Sequence, residues 1–495
     1  MKEDKKSYQS VLKATSLFGG VQIISIIITI IRSKIIALLL GPEGVGISNL
    51  LSRPLQLITT ATQLGLDKSA VKEISSQNKE KGGVPLKIIA VLKKMVWITA
   101  SLGAVAMVVF SSVLSEFTFD SQDYTIAFMG LGLALVFNQL TMSNLAVLQG
   151  LRKLDFLAKA TIYGSVLGLL LVIPLYFFLG LEGILPAIIA SSGAIFLFAY
   201  IYAKKVVDKQ LPSIKKEDIL STGRPMVKLG MALSFSSIIG LLVAYLILVF
   251  IRVQEGEVAS GYYAAAMVII NTYVGLIFNA MATDYYPRLA AICDDLQSII
   301  KTVFEQSFVA TLLITPIIIC FITFAPAMIT VLYSGAFEPA ILIVKWSILG
   351  MLFKTVSWSM GYVIIAKGDA KLFVKTSIVF NTLLLLLNIM GYYAFNLEGL
   401  GISLLVYYII HYIVIKILVF YKYNIKMRVT FEPIFVKCLF LCVITFLATY
   451  INIALLKYMI LISCLVISSL YSYKVLDKKI GFIELMNSIL RSKKK

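Results

Sequence analysis

The chain has 495 residues, of which 59% are hydrophobic and only 14% are charged, and its mean hydropathy is +0.92. A soluble domain is typically about 25% charged, so this composition excludes a soluble globular protein and indicates an integral membrane protein. The net charge of +19 does not indicate nucleic-acid binding, because Lys and Arg lie in short tracts between apolar runs, as in the cytoplasmic loops of membrane proteins.

Long apolar runs recur along the whole chain. A spanning helix needs about 20 apolar residues, and none of the runs shows the alternation of a barrel strand. We therefore predict an all-α integral membrane protein with about fourteen transmembrane helices. The predicted spans, numbered 1 to 14 in chain order, are residues 14–40, 46–66, 95–115, 124–148, 156–179, 183–203, 227–251, 259–283, 304–333, 338–366, 372–395, 398–421, 433–452 and 454–474.

The connections between spans alternate in charge. The N-terminal segment and every second connection carry Lys or Arg, whereas connections such as 115–124 and 333–339 carry neither. The positive-inside rule therefore predicts a multi-pass protein with both termini in the cytoplasm. The basic tail, residues 476–495, is predicted to lie on the inner membrane surface as an amphipathic helix. No long outer loop is predicted, so the function is expected within the bilayer.

The sequence carries an internal repeat. Leu-Glu-Gly at 181–183 recurs at 397–399, an offset of 216, and Gly46 matches Gly261 at an offset of 215. We predict two pseudo-symmetric six-helix lobes, related by an axis along the membrane normal, which is a transporter architecture. The predicted parts are an N-lobe of spans 1–6 (1–203), a cytoplasmic linker (204–226), a C-lobe of spans 7–12 (227–423) and two extra helices, spans 13 and 14 (424–475).

Polar residues follow one face of each of the first two spans. The spacing of three and four residues places each set on one side of a helix. Spans 1 and 2 therefore line a hydrated cavity in our interpretation; the alternative is hydrogen bonding between helices. The two faces consist of Gln22, Ser25, Thr29 and Arg32 in span 1, and of Asn49, Arg53, Gln56, Thr60, Gln63 and Asp67 in span 2.

Basic residues lie deep within predicted spans. Arg32, Arg53 and Lys354 are far from the span ends, whereas Arg252 and Lys345 are nearer the outer ends, where long side chains can reach the interface. A basic side chain at mid-membrane costs roughly 2.5–3.5 kcal/mol, and no Asp or Glu lies at the same depth. We interpret these cations as a site for an anionic ligand; the alternative is pairing with helix C-terminal carbonyls or with lipid phosphate.

Other chemistry-bearing residues predict no active site. His411 lies in an aromatic stretch, which favours a buried neutral imidazole over the alternative of a proton relay. The five cysteines mostly lie in apolar surroundings and are interpreted as inert thiols, with a metal or disulfide site as the alternative. The chain has no nucleotide-binding loop of the Walker type. We therefore predict no catalytic residue, no metal and no cofactor.

Four stretches resemble those of a known family. They are ALLLGPEGVGISNL (37–50), LGLDKSAVKEIS (64–75), LQGLRKLDFLAKATIYGS (148–165) and ASGYYAAAMVI (259–269). These motifs are similar to those of Wzx-type O-antigen and polysaccharide repeat-unit flippases, in the multidrug/oligosaccharidyl-lipid/polysaccharide exporter superfamily. The resemblance implies two lobes in a V shape, with spans 1, 2, 7 and 8 around a central cavity.

The resemblance also implies a cargo and residues that hold it. The cargo is an oligosaccharide on undecaprenyl pyrophosphate, moved from the inner to the outer leaflet of the bacterial inner membrane; membrane lipid, a polysaccharide polymerase and a chain-length regulator are the other expected partners. Arg32, Arg53 and Arg252 would hold the pyrophosphate, and Lys354, on span 10, is a fourth candidate cation. The candidate polar lining is Gln22, Thr29, Gln56, Thr60, Gln63 and Asn271.

Two other functions are weighed against the flippase. A cation-coupled multidrug exporter of the same superfamily would use acidic or neutral cavity residues, whereas the deep charges here are basic. A membrane-embedded glycan polymerase or acyltransferase usually needs a large outer loop or a His/Asp constellation. The outer connections are short, and His411 has no acidic residue nearby in the sequence.

Overall fold

A computed structural model describes residues 24, 26–81, 84–208, 210–426 and 431–480. We number the α-helices in chain order. They are α1 (26–39), α2 (Gly41–Gln63), α3 (Leu66–Lys81), α4 (Leu86–Val109), α5 (Ser111–Phe119), α6 (Thr125–Gly150), α7 (Leu154–Leu179), α8 (Ile184–Val206), the short α9 (Lys216–Asp218), α10 (Arg224–Val268), α11 (Gly275–Ala291), α12 (Leu296–Leu332), α13 (Ala340–Ala366), α14 (Ala370–Tyr423), α15 (Glu432–Ala448) and α16 (Ala454–Ile480).

The fold confirms the prediction of an all-α membrane protein. In the described part of the chain, eight helical stretches are long and apolar enough to cross a membrane. Three of them have 53, 46 and 54 residues, and about 20 residues suffice for one crossing. Every predicted span overlies helical residues, and the chain is a multi-pass membrane protein. The exact number of fourteen spans stays a prediction.

One helix begins earlier than the sequence indicates. Span 3 was predicted from residue 95, but α4 begins at Leu86, directly after Pro85. The lysines in the first turns of α4 lower its local hydropathy, so the sequence there resembles a loop. In the structure Lys87 forms an ion pair with Asp218 at 2.6 Å, and Lys94 donates a hydrogen bond to the carbonyl of Ile214 at 3.0 Å. These lysines therefore lie within α4 and connect it to the segment before α10.

Backbone turns recur at the offset of the sequence repeat. Gly41 and Gly256, which are 215 residues apart, have φ of 64° and 83°; Gly256 lies between two helical halves of α10. Arg152 and Gly368, which are 216 apart, have φ of 57° and 70°. Positive φ is uncommon outside glycine, so these matched turns support a duplicated fold.

The two Leu-Glu-Gly segments adopt the same turn. Gly180, just before the first copy, has φ 56° and ψ −131°, and Asn396, just before the second, has φ 51° and ψ −137°. The final glycine of each copy then packs on a carbonyl of the preceding helix, Gly183 on Leu175 and Gly399 on Gly391. A side chain at either glycine would overlap that carbonyl, which explains why both copies end in glycine.

The chain divides into two compact units. Unit 1 comprises Met1–Ala264 with Leu332–Ser334, and unit 2 comprises Ala265–Val331 with Gly335–Lys495. In unit 1, α6 packs against α3, α4 and α8; in unit 2, α13 packs along α14. Apolar side chains fill both interiors. The predicted lobe boundaries at 203 and 227 stay predictions, since contacts group the first half of α10 with unit 1.

Candidate functional site

Helix α2 carries most of the polar face that the sequence predicts for span 2. Two of its polar side chains bond to their own helix: Asn49 donates to the carbonyl of Val45 at 2.9 Å and Thr60 to that of Gln56 at 2.8 Å. The Asn49 amide and the Thr60 hydroxyl therefore have hydrogen-bond acceptors within α2 and need none from a neighbouring helix. Gln56 is exposed, whereas Gln63 is buried, with 8% of its surface exposed.

A close contact fixes the start of α2. Gly46 of α2 and Gly261 of α10 pack backbone to backbone, so that a Cβ on Gly46 would overlap the carbonyl oxygen of Glu257 and one on Gly261 that of Pro42. These two glycines are the pair that the repeat relates. The contact holds one end of α2 against α10 within unit 1.

Arg53 stands at the centre of the polar face. Its side chain is half-buried and near Tyr263 of α10. Within the described ranges its guanidinium forms no hydrogen bond and no ion pair. An arginine has five N–H donors, and a buried cation without a counter-charge is costly. The role of Arg53 in holding an anion stays a prediction.

Arg32 lies elsewhere in the same unit. Its Nη2 donates to the Ser191 hydroxyl of α8 at 3.1 Å, and its guanidinium lies close to Tyr176 of α7. No carboxylate of the described residues lies within ion-pair distance of it. Arg32 is thus bound by neutral groups of α7 and α8, with its charge uncompensated.

Arg252 is engaged by a carboxylate. Its Nε lies 3.1 Å from Oε1 of Glu257, and its Nη2 donates to the carbonyl of Phe119. The left-handed turn at Gly256 brings the glutamate back toward the arginine. The positive charge of Arg252 is therefore neutralised in this structure, unlike that of Arg53. Its predicted contact with a pyrophosphate would require this ion pair to open.

Lys354 belongs to unit 2 and lies among aromatic rings. Its Nζ is 5.1 Å from the ring centroid of Phe278 and 5.3 Å from that of Tyr408. Cation–π contacts of this kind stabilise an ammonium group by about 0.5–2 kcal/mol. No carboxylate of the described residues pairs with Lys354. Its predicted place among the head-group cations stays a prediction.

The remaining predicted residues fall in three places. Gln22 lies outside the described residues, and Thr29 is half-buried in α1. Asn271, in unit 2, is exposed, and its amide is 3.9 Å from the sulfur of Met267. The predicted pairing of Asn271 with Gln56 across a cavity stays a prediction.

Sequence reasoning missed two features of the site. Lys34 Nζ donates to the carbonyl of Tyr333 at 2.6 Å, a contact that the sequence does not indicate. Sequence reasoning also missed the aromatic surroundings of Lys354. The two rings, Phe278 and Tyr408, belong to α11 and α14, so the residues next to Lys354 in the sequence do not reveal them.

A family model described as "Polysaccharide biosynthesis protein" matches residues 35–342, which is more than half of the chain. The chain belongs to this family. A comparison with curated protein sequences finds no match.

Solved structures show how this family member folds. Lipid II flippase MurJ, in an inward closed conformation, is 12% identical, with a TM-score of 0.65 over 95% of this chain and 99% of that one. A multidrug resistance MATE family transporter of the MOP superfamily is 15% identical, with a TM-score of 0.65 over 78% of this chain and 92% of that one. The MATE multidrug transporter DinF-BH is 15% identical, with a TM-score of 0.61 over 83% and 96%. At these identities the likeness establishes a shared fold.

Proposed function

We propose that this polysaccharide biosynthesis protein is a flippase for oligosaccharides linked to undecaprenyl pyrophosphate. It moves them from the inner to the outer leaflet of the bacterial cytoplasmic membrane by alternating access, for O-antigen or another surface polysaccharide. Its termini lie in the cytoplasm, and it carries out no chemical reaction. A polysaccharide polymerase and a chain-length regulator act on or beside the product.

Arg53 is the observation that carries this proposal. It is the charged residue of α2 between Val45 and Gln63, and no carboxylate of the described residues compensates it. Guanidinium groups bind phosphate through two parallel N–H···O bonds. A pyrophosphate supplies the missing negative charge, so the cost of holding Arg53 inside the membrane protein is offset when the cargo binds.

The other polar groups contribute in different ways. The exposed amide of Gln56 and the hydroxyl of Thr60 lie on the same helix face as Arg53 and can hydrogen-bond sugar hydroxyls. Arg32, bonded to Ser191, adds positive potential that draws an anionic head group toward unit 1. Arg252 contacts the head group only in a state in which its bond to Glu257 is broken.

Family membership and the membrane potential support the direction of transport. Polysaccharide biosynthesis needs carrier-linked sugars outside the membrane, and one structure with this fold is named a lipid II flippase. A membrane potential that is negative inside drives a negative head group outward, and this movement releases about 2.3 kcal/mol per charge per 100 mV. An anionic cargo therefore provides part of its own driving force.

A multidrug exporter is the second candidate, because two of the compared structures are multidrug transporters. A lipophilic cation would be attracted by a carboxylate at mid-membrane. The polar face of α2 presents a guanidinium there instead. The charge of the site thus favours an anionic cargo.

The two candidates are separated by a binding experiment with the full-length protein in lipid nanodiscs. The probes are undecaprenyl pyrophosphate, undecaprenol, which lacks the phosphates, and tetraphenylphosphonium, a lipophilic cation. We expect saturable binding of the pyrophosphate only. Binding of the cation without binding of the pyrophosphate would overturn the flippase assignment in favour of the exporter.

A further inference from the structure

Helices α7 and α8 carry aromatic rings and lysines at the end that they share. Helix α7 begins there and has 26 residues, and α8 ends there and has 23. Each helix is long enough for one crossing of the membrane, so this end lies at a membrane interface. We define the α7–α8 cluster as Phe156, Lys159 and Tyr163 of α7 with Phe198, Tyr202 and Lys205 of α8.

The four rings of the cluster form a continuous row between the two helices. The ring centroid of Tyr202 lies 5.6 Å from that of Phe156 and 6.4 Å from that of Tyr163. The ring of Tyr163 in turn lies 5.9 Å from that of Phe198. Members of the cluster are three or four positions apart on each helix, which places them on one helix face. Tyr163 is exposed and the other three rings are half-buried, so the row lies at the molecular surface.

Two ammonium groups lie over this row of rings. Nζ of Lys159 is 5.9 Å from the ring centroid of Phe156, and Nζ of Lys205 is 5.4 Å from that of Tyr202. Both lysines are exposed, and neither forms an ion pair with a carboxylate of the described residues. Cation–π contacts hold an ammonium group in place, but a neutral ring leaves its charge uncompensated. The cluster therefore presents two positioned positive charges beside an aromatic surface.

The sequence repeat does not carry this cluster into unit 2. At the offset of 216, α7 and α8 match the two halves of α14. Leu418 there stands in the place of Tyr202, and Lys422, at the same end of α14, pairs with Asp369 at 3.1 Å. The ring row with its uncompensated lysines thus distinguishes the end of α7 and α8 from the matching end of α14.

We propose that the α7–α8 cluster binds the head group of an anionic phospholipid. Lys159 and Lys205 contact the phosphate oxygens, and the ring row packs against the glycerol and the first carbons of the acyl chains. Aromatic side chains favour this depth of the membrane, and basic side chains there attract anionic lipids. The lipid supplies the negative charge that the described residues do not provide. In the orientation of the proposed function, it belongs to the cytoplasmic leaflet.

Native mass spectrometry of the full-length protein tests this proposal, with phosphatidylglycerol and phosphatidylcholine as the probes. We expect phosphatidylglycerol to bind more tightly. Lys159→Gln or Lys205→Gln should weaken its binding about fivefold, the effect of one lysine near the membrane surface, and should leave phosphatidylcholine unaffected. Lys205→Arg keeps the charge and should bind as the wild type does. No carrier-linked sugar is present, so the outcome is independent of the proposed function.

Two matched controls separate a specific site from a generally positive surface. Lys204 is the exposed neighbour of Lys205, but it lies over Tyr200, at 5.9 Å, outside the cluster. Lys375 is the exposed residue of α14 that matches Lys159 at the offset of 216. Lys204→Gln and Lys375→Gln should leave the affinity for phosphatidylglycerol unchanged.

Three results would overturn the proposal. Equal losses in Lys204→Gln and Lys205→Gln would replace the site with a general surface potential. Equal affinities of the wild type for the two lipids would show that the cluster does not select an anionic head group. Displacement of phosphatidylglycerol by an excess of inorganic phosphate would assign the two lysines to a soluble anion instead of a lipid.

Discussion

Two arginines of unit 1 have opposite surroundings, although the sequence suggested the same role for both. Arg53 has no ionic partner in the described part of the chain, whereas Arg252 is bound by the carboxylate of Glu257 and the carbonyl of Phe119. A buried cation without a partner can bind an anion directly. A paired one must first lose its ion pair. The comparison separates the two arginines by the partners of their side chains rather than by their charge.

Replacing Arg53 should have the largest effect. Arg53→Ala is expected to weaken binding of undecaprenyl pyrophosphate at least tenfold, since charged hydrogen bonds contribute about 1.5–3 kcal/mol each and about 1.4 kcal/mol is tenfold in affinity. Arg53→Lys should give an intermediate loss, because an ammonium cannot bind two phosphate oxygens in a fork. Binding is measured in nanodiscs.

Arg224→Ala is the matched control for this experiment. Arg224 is exposed at the start of α10, so its loss should leave binding unchanged. Equal affinities of the wild type and Arg53→Ala would show that Arg53 does not hold the head group.

A side chain at Gly46 should have the next largest effect. Gly46→Ala places a Cβ against the carbonyl of Glu257, the residue that holds Arg252. Overpacking of this kind costs about 1–3 kcal/mol, and it should displace Glu257 and reduce both thermal stability and flipping. Gly361→Ala, in a helical position with no atom near the new Cβ, should be neutral or slightly stabilising. Equal melting temperatures for the two variants would contradict the backbone contact.

Breaking the ion pair of Arg252 should have a smaller effect. Glu257→Gln removes the carboxylate that neutralises Arg252 and leaves its hydrogen bond to the carbonyl of Phe119. Affinity for undecaprenyl pyrophosphate should therefore rise, while stability falls by about 1 kcal/mol, as for a partly exposed pair. Arg252→Ala in the otherwise unchanged protein should alter affinity little. If Arg252→Ala weakens binding as much as Arg53→Ala does, the distinction between the two arginines fails.

Replacing the surface residue Asp369 should have the smallest effect, and it does not alter the surroundings of Arg53 or Arg252. The backbone N–H of Leu372 donates to Asp369 at 3.1 Å, and Lys422 lies 3.1 Å away; these contacts lower the pKa of Asp369 below its ordinary value. A lowered folded-state pKa stabilises the protein above about pH 4, the ordinary value, and this contribution is lost as pH falls through the folded-state pKa.

Asp369→Asn should therefore lower the melting temperature slightly at neutral pH, and the difference from the wild type should shrink below about pH 4. Thermal unfolding at several pH values checks this expectation. A difference that grows on acidification would mean that the carboxylate is not stabilised by Leu372 and Lys422.

Much of the fold could be read from the sequence. Every span predicted from hydropathy contains helical residues in the structure. A long apolar segment forms a helix in lipid because its backbone polar groups must hydrogen-bond within the segment. The offset between the Leu-Glu-Gly segments predicted matched turns, and the structure has them at Gly180 and Asn396. The predicted start of span 3 lies too late, because Lys87 and Lys94 resemble loop residues in the sequence. In the structure these two lysines belong to α4 and contact residues more than a hundred positions later.

The sequence by itself thus determined that the chain is an all-α membrane protein, and it singled out the repeat and the basic residues within the predicted spans. Only the tertiary structure decided which cations are available. Arg252 meets a carbonyl 133 residues away, Arg53 meets no anion among the described residues, and Lys354 is enclosed by rings from α11 and α14. Helix formation depends on neighbours along the chain, whereas the electrostatic state of a side chain depends on groups that folding brings together.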